Sequence, residues 1–312
     1  MERRTAVGTL PLSAESSLPS KRIAAPPPES LPPGLTRTTH RPRVRMGAAL
    51  KTLPILATFF VAAAAPGTML LAQEAPPPPP DTLRILAYNT HHGAGMDGTL
   101  DLVRIADVIT EAAPDLVALQ EVDRLVERTG WVAQAEEYAD LIGLESVFGG
   151  FMEYQGGQYG MALLSRFPIL ERTNHRLPAG AEPRTALALR TRIPGSEREV
   201  VFVGVHFYRT EEERLAQARS LMDTLEEEEG LVILAGDFNS LRGSPVMELL
   251  ATRWAVLEKD GRTATFPADD PAREIDFILV SPREGFRVLE HRVLGEEVAS
   301  DHRPIFLVLE VR

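Results

Sequence analysis

Two short polar clusters border apolar runs in this 312-residue chain. Gly-Asp-Phe-Asn at 236–239 follows the apolar run 231–235, and Ser-Asp-His at 300–302 precedes the apolar run 305–309. Because such runs predict buried strands, each cluster is expected at a strand end. Carboxylate, amide and imidazole groups held together at strand ends are the parts of a metal-dependent hydrolase.

Eight polar residues, counting those two clusters, are expected at the ends of six strands. They are Asn89, Glu121, His206, Asp237, Asn239, Asp276, Asp301 and His302. Mg²⁺ binds a few oxygen ligands and retains water, and Glu121 and Asp301 could supply such oxygens. Asn89 or Asp237 would lie nearby. We therefore expect Mg²⁺ as the cofactor, with Mn²⁺ or Ca²⁺ as alternatives.

The remaining polar residues suit a phosphoester substrate. Hydrolysis of a phosphodiester needs a positioned water and hydrogen-bond donors or cations at the phosphoryl oxygens, since catalysis there depends mostly on placement and electrostatics. His206, Asn239 and His302 are donors of this kind.

The segments between these residues predict alternating strands and helices. Residues 83–89 and 115–121 have the pattern of strands, and apolar residues at helical spacing between them predict a helix that Pro114 ends. The exits of two parallel strands lie side by side, so Asn89 and Glu121 are expected to be neighbours.

The rest of the chain adds more elements of both kinds. A second amphipathic helix is expected from Trp131 to Ile142, and a capping box of Thr210 and Glu213 begins a third. Further strands are expected at 160–165, 168–173, 185–193, 199–207, 231–235, 274–281, 286–294 and 304–311, with a short helix near 244–250. This mixture predicts an α/β fold, a four-layer sandwich of two packed mixed β-sheets flanked by helices.

Seven motifs follow one another in a familiar order. They are Asn89, Gln120-Glu121, Tyr159-Gly160 with Leu164-Ser165-Arg166, Val205-His206, Gly236-Asp237-Phe238-Asn239, Ile275-Asp276-Phe277-Ile278 and Ser300-Asp301-His302. The series resembles the endonuclease/exonuclease/phosphatase superfamily, which includes pancreatic deoxyribonuclease, apurinic endonucleases, neutral sphingomyelinases and inositol polyphosphate 5-phosphatases. The resemblance covers residues 83–312 and implies metal-dependent hydrolysis of a phosphoester.

The resemblance also implies roles for single residues. Glu121 would be the principal metal ligand, with Asn89 and Asp301 completing the metal site. Asp237 would orient or deprotonate the attacking water. Asn239 would hold that water or a phosphate oxygen.

The histidines are assigned in the same way. Asp276 would hydrogen-bond His302, fix its tautomer and favour its cationic form beside the scissile phosphate. His206 would be the second imidazole that faces the phosphate. His175 and His291 match no motif and are expected at the surface.

A finer similarity lies in residues 88–106 and 119–124. These segments look like the bacterial branch related to the C-terminal domain of the yeast calcofluor-white-hypersensitive protein, which acts in lipid remodelling of glycosylphosphatidylinositol anchors. One position departs from that pattern, because many relatives carry Asn where this chain has Met161.

Four residues are candidates for substrate binding: His91, His92, Tyr159 and Arg184. The two histidines could contact a phosphate or cap the glycine-rich loop that follows them. Arg184 could clamp a phosphate or form a structural salt bridge. Tyr159 stands among three glycines that allow close backbone approach, so it is expected to line the site rather than the core.

The N-terminal part of the chain has a different composition. The first 80 residues contain 15 of the 25 prolines. Residues 1–45 are rich in Pro, Ser, Thr and Arg and lack apolar periodicity, so we expect them to be disordered or not translated, and in the second case Met46 would be the true start.

Basic residues then lead into an uncharged apolar stretch at 53–72. This order predicts a signal peptide over 46–72, cleaved near Ala72, or a membrane anchor. Residues 73–81 would be a Pro-rich linker before a single domain at 82–312. The expected localisation is periplasmic or secreted, with anchorage in the inner membrane as an alternative.

Charge separates the two parts. Residues 1–72 hold 9 of the 33 Lys and Arg and 3 of the 44 Asp and Glu, so residues 73–312 hold 24 and 41, a net charge of −17. An acidic domain lacks the positive surface that binds long nucleic acid. The chain has no cysteine, which excludes disulfides and thiolate catalysis.

The leading hypothesis is an exported, divalent-metal-dependent phosphoesterase that acts as a monomer on a small or lipid-linked substrate. One alternative is a secreted nuclease for DNA or RNA. The other is a catalytically inactive binding module on the same fold.

Overall fold

Two β-sheets form the centre of the molecule. The computed structural model describes residues 82–195 and 198–312. The predicted N-terminal extension, signal peptide or anchor and Pro-rich linker lie outside the described residues. No helix within those two ranges is long and apolar enough to cross a membrane.

The first sheet has six strands in the order β11-β12-β1-β2-β4-β3. Its strands are β1 (Thr82–Asn89), β2 (Leu116–Arg124), β3 (Glu145–Tyr154), β4 (Gly157–Ser165), β11 (Phe286–Val293) and β12 (Ile305–Val311). β1 and β2 are parallel, and the other neighbours are antiparallel.

The second sheet also has six strands, in the order β5-β6-β7-β8-β10-β9. Its strands are β5 (Ile169–Arg176), β6 (Thr185–Arg192), β7 (Glu199–His206), β8 (Leu231–Asp237), β9 (Ala255–Val256) and β10 (Asp276–Ser281). β7 and β8 are parallel and the rest antiparallel. Each sheet therefore has a parallel pair at its middle with an antiparallel strand on either side.

In the part of the chain that the structure describes, four helices cover the outer faces of the sheets. They are α1 (Leu102–Ala112), α2 (Gln134–Ile142), α3 (Glu211–Thr224) and α4 (Pro245–Ala251). Short 3₁₀ turns lie at His91–Gly93, Glu127–Thr129 and Arg283–Gly285. The apolar faces of α1 and α2 pack on the first sheet, and those of α3 and α4 on the second.

The central core lies between the two sheets. Alternate residues of β1 show why: Leu83 and Ile85 join the central core, whereas Leu86 and Tyr88 face α1 and α2. A strand buried on both faces needs apolar residues at every position, which is why these strands read as continuous apolar runs. The predicted four-layer sandwich is confirmed.

The parallel pairs determine where strand ends meet. A helical crossover through α1 joins β1 to β2, and one through α3 joins β7 to β8. The side chain of Thr210 accepts a hydrogen bond from the Glu213 amide at 3.4 Å, so the predicted cap of α3 is present. In each pair the carboxyl ends lie at the same edge of the sheet.

β3 and the two-residue β9 were not predicted, and the start of one helix was predicted wrongly. The sequence of β3 contains two glycines and has weak apolar alternation. The second helix begins at Gln134, and Trp131 lies before it in the left-handed region at φ 63° with 54% of its surface exposed. A bulky residue in that backbone conformation cannot continue a helix.

Candidate active site

Three neighbouring strands of the second sheet bring three polar residues into one row. His206 at the end of β7 is the register partner of Asp237 at the end of β8, and Asp276 at the start of β10 is the partner of Asp237 on its other side. All three are at least 97% buried. The row exists because β7 and β8 run parallel while β10 runs the opposite way.

The first sheet supplies Asn89 and Glu121. Asn89 pairs with Gln120 across β1 and β2, and a β-bulge follows at Glu121, whose φ is 58°. A left-handed backbone is costly for a glutamate and is typically kept at functional sites. The bulge allows Glu121 to leave the strand alternation and line the cavity described below.

Asn89 links the two sheets. Its Nδ2 donates to Glu121 Oε1 at 3.3 Å and to Asp237 Oδ2 at 3.2 Å, and its Oδ1 accepts from the backbone N–H of His91 at 3.1 Å. Ser300 Oγ donates to the Asn89 carbonyl at 2.7 Å, which ties the loop carrying Asp301 to β1. In this arrangement Asn89 positions two carboxylates, and coordination of a metal by its oxygen would require the amide to turn.

Asp276 and His302 form a buried pair. His302 Nδ1 donates to Asp276 Oδ2 at 3.0 Å, and Thr265 Oγ1 donates to the same oxygen. Burial alone would lower the pKa of His302, but the negative charges of Asp276 and Asp237 outweigh burial and raise its pKa to about 10. His302 is thus a cation at neutral pH, with its tautomer fixed by Asp276.

The pKa shifts of the other two buried groups, Asp237 and His206, favour their uncharged forms. Burial and the charge of Asp276 raise the pKa of Asp237, which favours a carboxylate able to accept a proton near neutral pH. Burial, the charge of Arg184 and the charge of His302 lower the pKa of His206 well below its usual value. His206 is therefore a neutral imidazole, with Nε2 at 3.6 Å from Asp237 Oδ2.

Asn239 completes the surroundings of Asp237. Its backbone N–H donates to Asp237 Oδ1 at 2.8 Å, and its Nδ2 donates to the Phe207 carbonyl at 3.0 Å. The residue sits at φ 48°, which asparagine tolerates better than most residues. This turn holds the Asp237 carboxylate in a fixed orientation.

All these groups converge on one cavity of about 750 Å³. Predicted site residues that line it are His91, His92, Glu121, Tyr159, Arg184, His206, Asp237, Asn239, Asp301 and His302. Asn89 and Asp276 lie behind that wall, where they contact Glu121, Asp237 and His302. The structure therefore brings all twelve predicted residues to one place.

The donors in this cavity fit a hard divalent cation. Glu121 and Asp301 both present carboxylates there, and the strained backbone at Glu121 directs its side chain inward. Two groups of side chains have ligand atoms within 4.8 Å of one another and could hold a metal ion: one is His91, His92 and Glu121, and the other is Asp237, Asp276 and His302. The second group is disfavoured while His302 keeps its proton, because a cationic imidazole cannot coordinate a metal.

His91 and His92, in the first 3₁₀ turn, both line the cavity, and His91 also stabilises the loop. His91 Nδ1 donates to the Ala94 carbonyl at 3.1 Å, so this residue does cap its loop. Burial and nearby positive charge lower the pKa of His92 to about 3, which makes it neutral. Both residues have positive φ.

Tyr159 and Arg184 both line the cavity, and Arg184 also forms the salt bridge that was one of its two expected roles. Tyr159 lines the cavity and also packs edge-to-face on Phe151, with ring centroids 4.9 Å apart. Arg184 pairs with Glu182 and is 4% exposed, yet its Nε has no hydrogen-bond partner in the described part of the chain. An unpartnered buried guanidinium nitrogen facing a cavity suits an anionic ligand. Met161, by contrast, is fully buried in the central core.

Sequence reasoning missed several residues of the site. Thr265 holds Asp276, and the Phe266 ring packs on His302 with centroids 4.9 Å apart. Arg209, Arg214 and Arg273 line the cavity. No motif marks these residues, because their positions depend on how α3, which carries Arg214, and the loops that carry the others fold over the strand ends.

The prediction that His291 lies at the surface was wrong, since it is fully buried. Its Nδ1 donates to the Glu258 carbonyl at 2.8 Å. His175 on β5 is half-buried. Neither residue lines the cavity.

The sequence match agrees with this geometry. Residues 86–302 match the Endonuclease/Exonuclease/phosphatase family, which is more than half of the chain, so the chain belongs to this family. It has the family's phosphoesterase fold with a buried Asp and His group that could hold a metal ion. Members of the family typically depend on a divalent metal.

The chain is also similar to individual proteins in sequence and in fold. The uncharacterized protein YbhP of Escherichia coli (strain K12) is 27% identical over 239 residues, 72% of this chain and 94% of YbhP. An endonuclease/exonuclease/phosphatase from Beutenbergia cavernae has a TM-score of 0.60 at 23% identity, covering 74% of this chain and 72% of that one. A mannosyl-6-phosphatase of Bacteroides thetaiotaomicron has a TM-score of 0.60 at 18% identity, covering 73% and 99%.

Proposed function

We propose that this chain is an exported, divalent-metal-dependent phosphoesterase that hydrolyses a phosphodiester or phosphomonoester bond in a small or lipid-linked substrate. One observation carries the proposal. Carboxylates, imidazoles and amides from both sheets meet at a single cavity, and they include a cationic His302 beside a buried Asp237 with a raised pKa.

In this proposal the metal ion is held by Glu121 and Asp301, with Asn89 positioning Glu121. Mg²⁺ is the expected ion, and when bound it would polarise the phosphoryl group as a Lewis acid. Asp237 orients the attacking water and accepts its proton, which its raised pKa favours. Asn239 keeps the Asp237 carboxylate turned toward that water.

Two imidazoles beside Asp237 would donate hydrogen bonds to the phosphoryl oxygens, since His206 Nε2 and His302 Nε2 lie 3.6 and 3.8 Å from Asp237 Oδ2. His302 donates a charged hydrogen bond from its Nε2, because its Nδ1 is occupied by Asp276. His206 donates as a neutral imidazole. His91, His92, Tyr159 and Arg184 contact the rest of the substrate. The fixed charge of His302 stabilises the charge that develops on the phosphoryl oxygens.

The net charge of −17 over residues 73–312 supports a small or lipid-linked substrate over long nucleic acid. The name of the Bacteroides mannosyl-6-phosphatase states a phosphomonoester substrate for a protein of the same fold. We therefore include phosphomonoesters, and the lipid class rests on the resemblance to the branch that remodels lipids.

The direct test is turnover of bis-p-nitrophenyl phosphate and p-nitrophenyl phosphate by the purified protein, with Mg²⁺ and with EDTA. We expect Mg²⁺-dependent hydrolysis that Glu121→Gln and His302→Ala each reduce by more than about 100-fold. A screen of phospholipids, sugar phosphates, nucleotides and DNA then defines the substrate. Absence of metal-dependent turnover on every class would refute the proposal.

The same screen separates the two alternatives. Plasmid nicking that falls with salt and is lost in Asp237→Ala would identify a nuclease. Tight ligand binding that Glu121→Gln leaves unchanged, without turnover by the wild-type protein, would identify a binding module.

Export and oligomeric state form part of the proposal. We expect the protein in the periplasmic fraction, with an N-terminus after Ala72 by sequencing, and a monomer by size-exclusion chromatography with light scattering. A protein that remains in the cytoplasm with its N-terminal segment intact would contradict export without bearing on the phosphoesterase activity.

A further inference from the structure

Two histidines and a glutamate meet at one side of the cavity. His91, His92 and Glu121 have ligand atoms that all lie within 4.8 Å of one another, and all three residues line the cavity. Asp301, the other carboxylate proposed to hold Mg²⁺, does not belong to this histidine group. The two imidazoles therefore add nitrogen ligands beside a carboxylate that the proposed magnesium site already uses.

The backbone holds the histidine group together. Thr90 immediately precedes the two histidines, and its amide and its hydroxyl both donate to the Gln120 carbonyl at 3.0 Å. The same hydroxyl also donates to the Glu121 carbonyl at 3.3 Å. The loop that carries both histidines is thus fastened to β2 at Glu121 and at the residue before it.

A buried amide side chain makes a second connection. Gln134 of α2 is fully buried, its Nε2 donates to the His92 carbonyl at 2.7 Å, and its Oε1 accepts from the Asp123 amide at 2.8 Å. This side chain therefore bridges the histidine loop to β2. Two independent connections fix the loop relative to Glu121, and such support is what a metal site requires for its ligands.

The hydrogen bonds of the two rings leave lone pairs free. His91 Nδ1 donates to the Ala94 carbonyl at 3.1 Å, so the lone pair of that ring is on Nε2. Histidines that bind metals typically donate their other ring N–H to a carbonyl or carboxylate in this way. The buried Nδ1 of His92 has no hydrogen-bond partner among the described residues. Each ring can therefore offer a nitrogen to an ion.

All three members of the histidine group have a left-handed backbone. The φ angles are 45° at His91, 48° at His92 and 58° at Glu121. This conformation is costly for residues other than glycine and is typically kept at functional sites. Its presence in every member of one cluster indicates that the cluster has a function.

The nearby positive charge does not exclude a cation. Arg128 acts electrostatically on His92. Its guanidinium forms a bidentate pair with Asp123, at 2.7 and 2.8 Å, so that carboxylate compensates its charge. The carboxylate of Glu121 then gives the histidine group a net negative charge.

The imidazole nitrogens determine which metal suits the histidine group. Nitrogen ligands favour Zn²⁺ and other transition-metal ions, whereas Mg²⁺ takes oxygen ligands. We propose that His91, His92 and Glu121 form a site for a divalent transition-metal ion such as Zn²⁺, which shares Glu121 with the proposed magnesium site. Ligand atoms around one Zn²⁺ lie roughly 3.3 Å apart. Small rotations of these half-buried side chains would bring the group to that spacing.

This inference goes beyond the proposed function, because binding of the ion does not depend on hydrolysis. Three protein ligands leave coordination positions open for water or for a substrate oxygen. His91 and His92 would then contact a substrate through the ion that they hold.

The test uses the metal ions alone. Isothermal titration calorimetry of the full chain measures its affinities for Zn²⁺ and Mg²⁺, and X-ray absorption spectroscopy of the Zn²⁺-loaded protein counts the coordinated imidazoles. We expect two imidazoles at the ion. Loss of a residue that only supports a ligand costs about 10–100-fold in metal affinity, so His91→Gln/His92→Gln should weaken Zn²⁺ binding by roughly 100-fold or more.

Two further variants serve as controls. His175→Gln removes a half-buried histidine of β5 that does not line the cavity, and it should bind Zn²⁺ like the wild-type protein. Asp301→Asn changes the magnesium site alone, so it should lose the stabilisation by Mg²⁺ and keep both imidazoles at Zn²⁺. The variant His91→Gln/His92→Gln should show the reverse. Circular dichroism with thermal melting verifies that each variant is folded.

The other group of possible ligands, which includes His302, supplies the opposing result. The site is refuted if two imidazoles still coordinate Zn²⁺ in His91→Gln/His92→Gln, or if His175→Gln or Asp301→Asn weakens Zn²⁺ binding equally. It is also refuted if the wild-type protein binds no Zn²⁺ or binds it through oxygen alone, even while bis-p-nitrophenyl phosphate is hydrolysed. If both histidines coordinate Zn²⁺ but no phosphoester is hydrolysed, the proposed function fails and the metal site stands.

Discussion

At the scale of single residues, the positive charge of His302 depends on the hydrogen bonds that fix the Asp276 carboxylate beside it. The Thr265 hydroxyl donates to Asp276 Oδ2, the oxygen that accepts from His302. Thr265→Val keeps the shape of the side chain but removes this donor. Because a hydrogen bond to a charged group contributes about 1.5–3 kcal/mol, we expect phosphoesterase turnover to fall by roughly tenfold or more.

The control for that variant is Thr263→Val, at a half-exposed threonine two residues earlier in the chain. Nitrogen-15 NMR of the imidazole rings should show the His302 signals shift only in Thr265→Val, which a purely structural effect would not produce. Equal turnover in both variants would contradict a positioning role for Thr265.

The buried His291 should make the stability of the fold depend on pH. Burial lowers the pKa of His291 from 6.5 to about 4. Its Nδ1 donates to the backbone carbonyl of Glu258, and its buried Nε2 has no hydrogen-bond partner among the described residues. The unfolded chain therefore takes up a proton below pH 6.5, while the folded protein does so only below about pH 4. Stability should fall as the pH drops through this window, by at most about 3 kcal/mol.

Urea unfolding at pH 7.5, 6, 5 and 4.5 measures this effect. His291→Gln carries no proton in either state, so the gap between the wild-type and variant curves should change with pH over that window. If the two curves stay parallel, His291 does not contribute to the pH dependence of stability.

At the scale of elements, close packing of β7 against β8 places Asp237. Gly236 has φ 145°, and a Cβ there would lie 2.1 Å from the Val205 carbonyl oxygen and 2.9 Å from Gln120 Nε2. The backbone of a sheet cannot move far enough to remove the first contact. We expect Gly236→Ala to lower the free energy of unfolding by about 2 kcal/mol or more.

Gly230→Ala, immediately before β8, is the matched control because a Cβ there meets nothing within 4 Å. Chemical denaturation of the two variants should separate them clearly. If both variants are as stable as the wild-type protein, the close contact between β7 and β8 does not require glycine at position 236.

At the scale of the whole domain, the proposed metal site joins Glu121, in β2, to Asp301, in the loop before β12. A ligand that binds only the folded state stabilises it, by about 2.7 kcal/mol at 100 times its dissociation constant. Mg²⁺ should therefore raise the melting temperature by roughly 5 °C. Differential scanning fluorimetry with Mg²⁺ and with EDTA measures the change without relying on activity.

Glu121→Gln should abolish this rise, whereas Glu111→Gln, an exposed position on α1, should keep it. An equal rise in both variants would place the stabilising ion elsewhere on the molecule.

The amino-acid sequence by itself determined the layers of the fold and the chemistry at the strand ends. Apolar runs such as 231–235 predict strands buried on both faces, and the polar residue that ends each run then lies at a sheet edge. The order of the motifs added the superfamily. These features are local, so a single stretch of sequence is enough to specify them.

The tertiary structure alone decided which of those residues touch. The row of His206, Asp237 and Asp276 depends on register between strands far apart in sequence, and Glu121 enters the cavity through a bulge that no residue type announces. Thr265, Arg209 and Arg273 lie on loops folded over the site, and Arg214 lies in the first turn of α3. Contacts of this kind follow from the packing of the whole domain, which local sequence patterns do not encode.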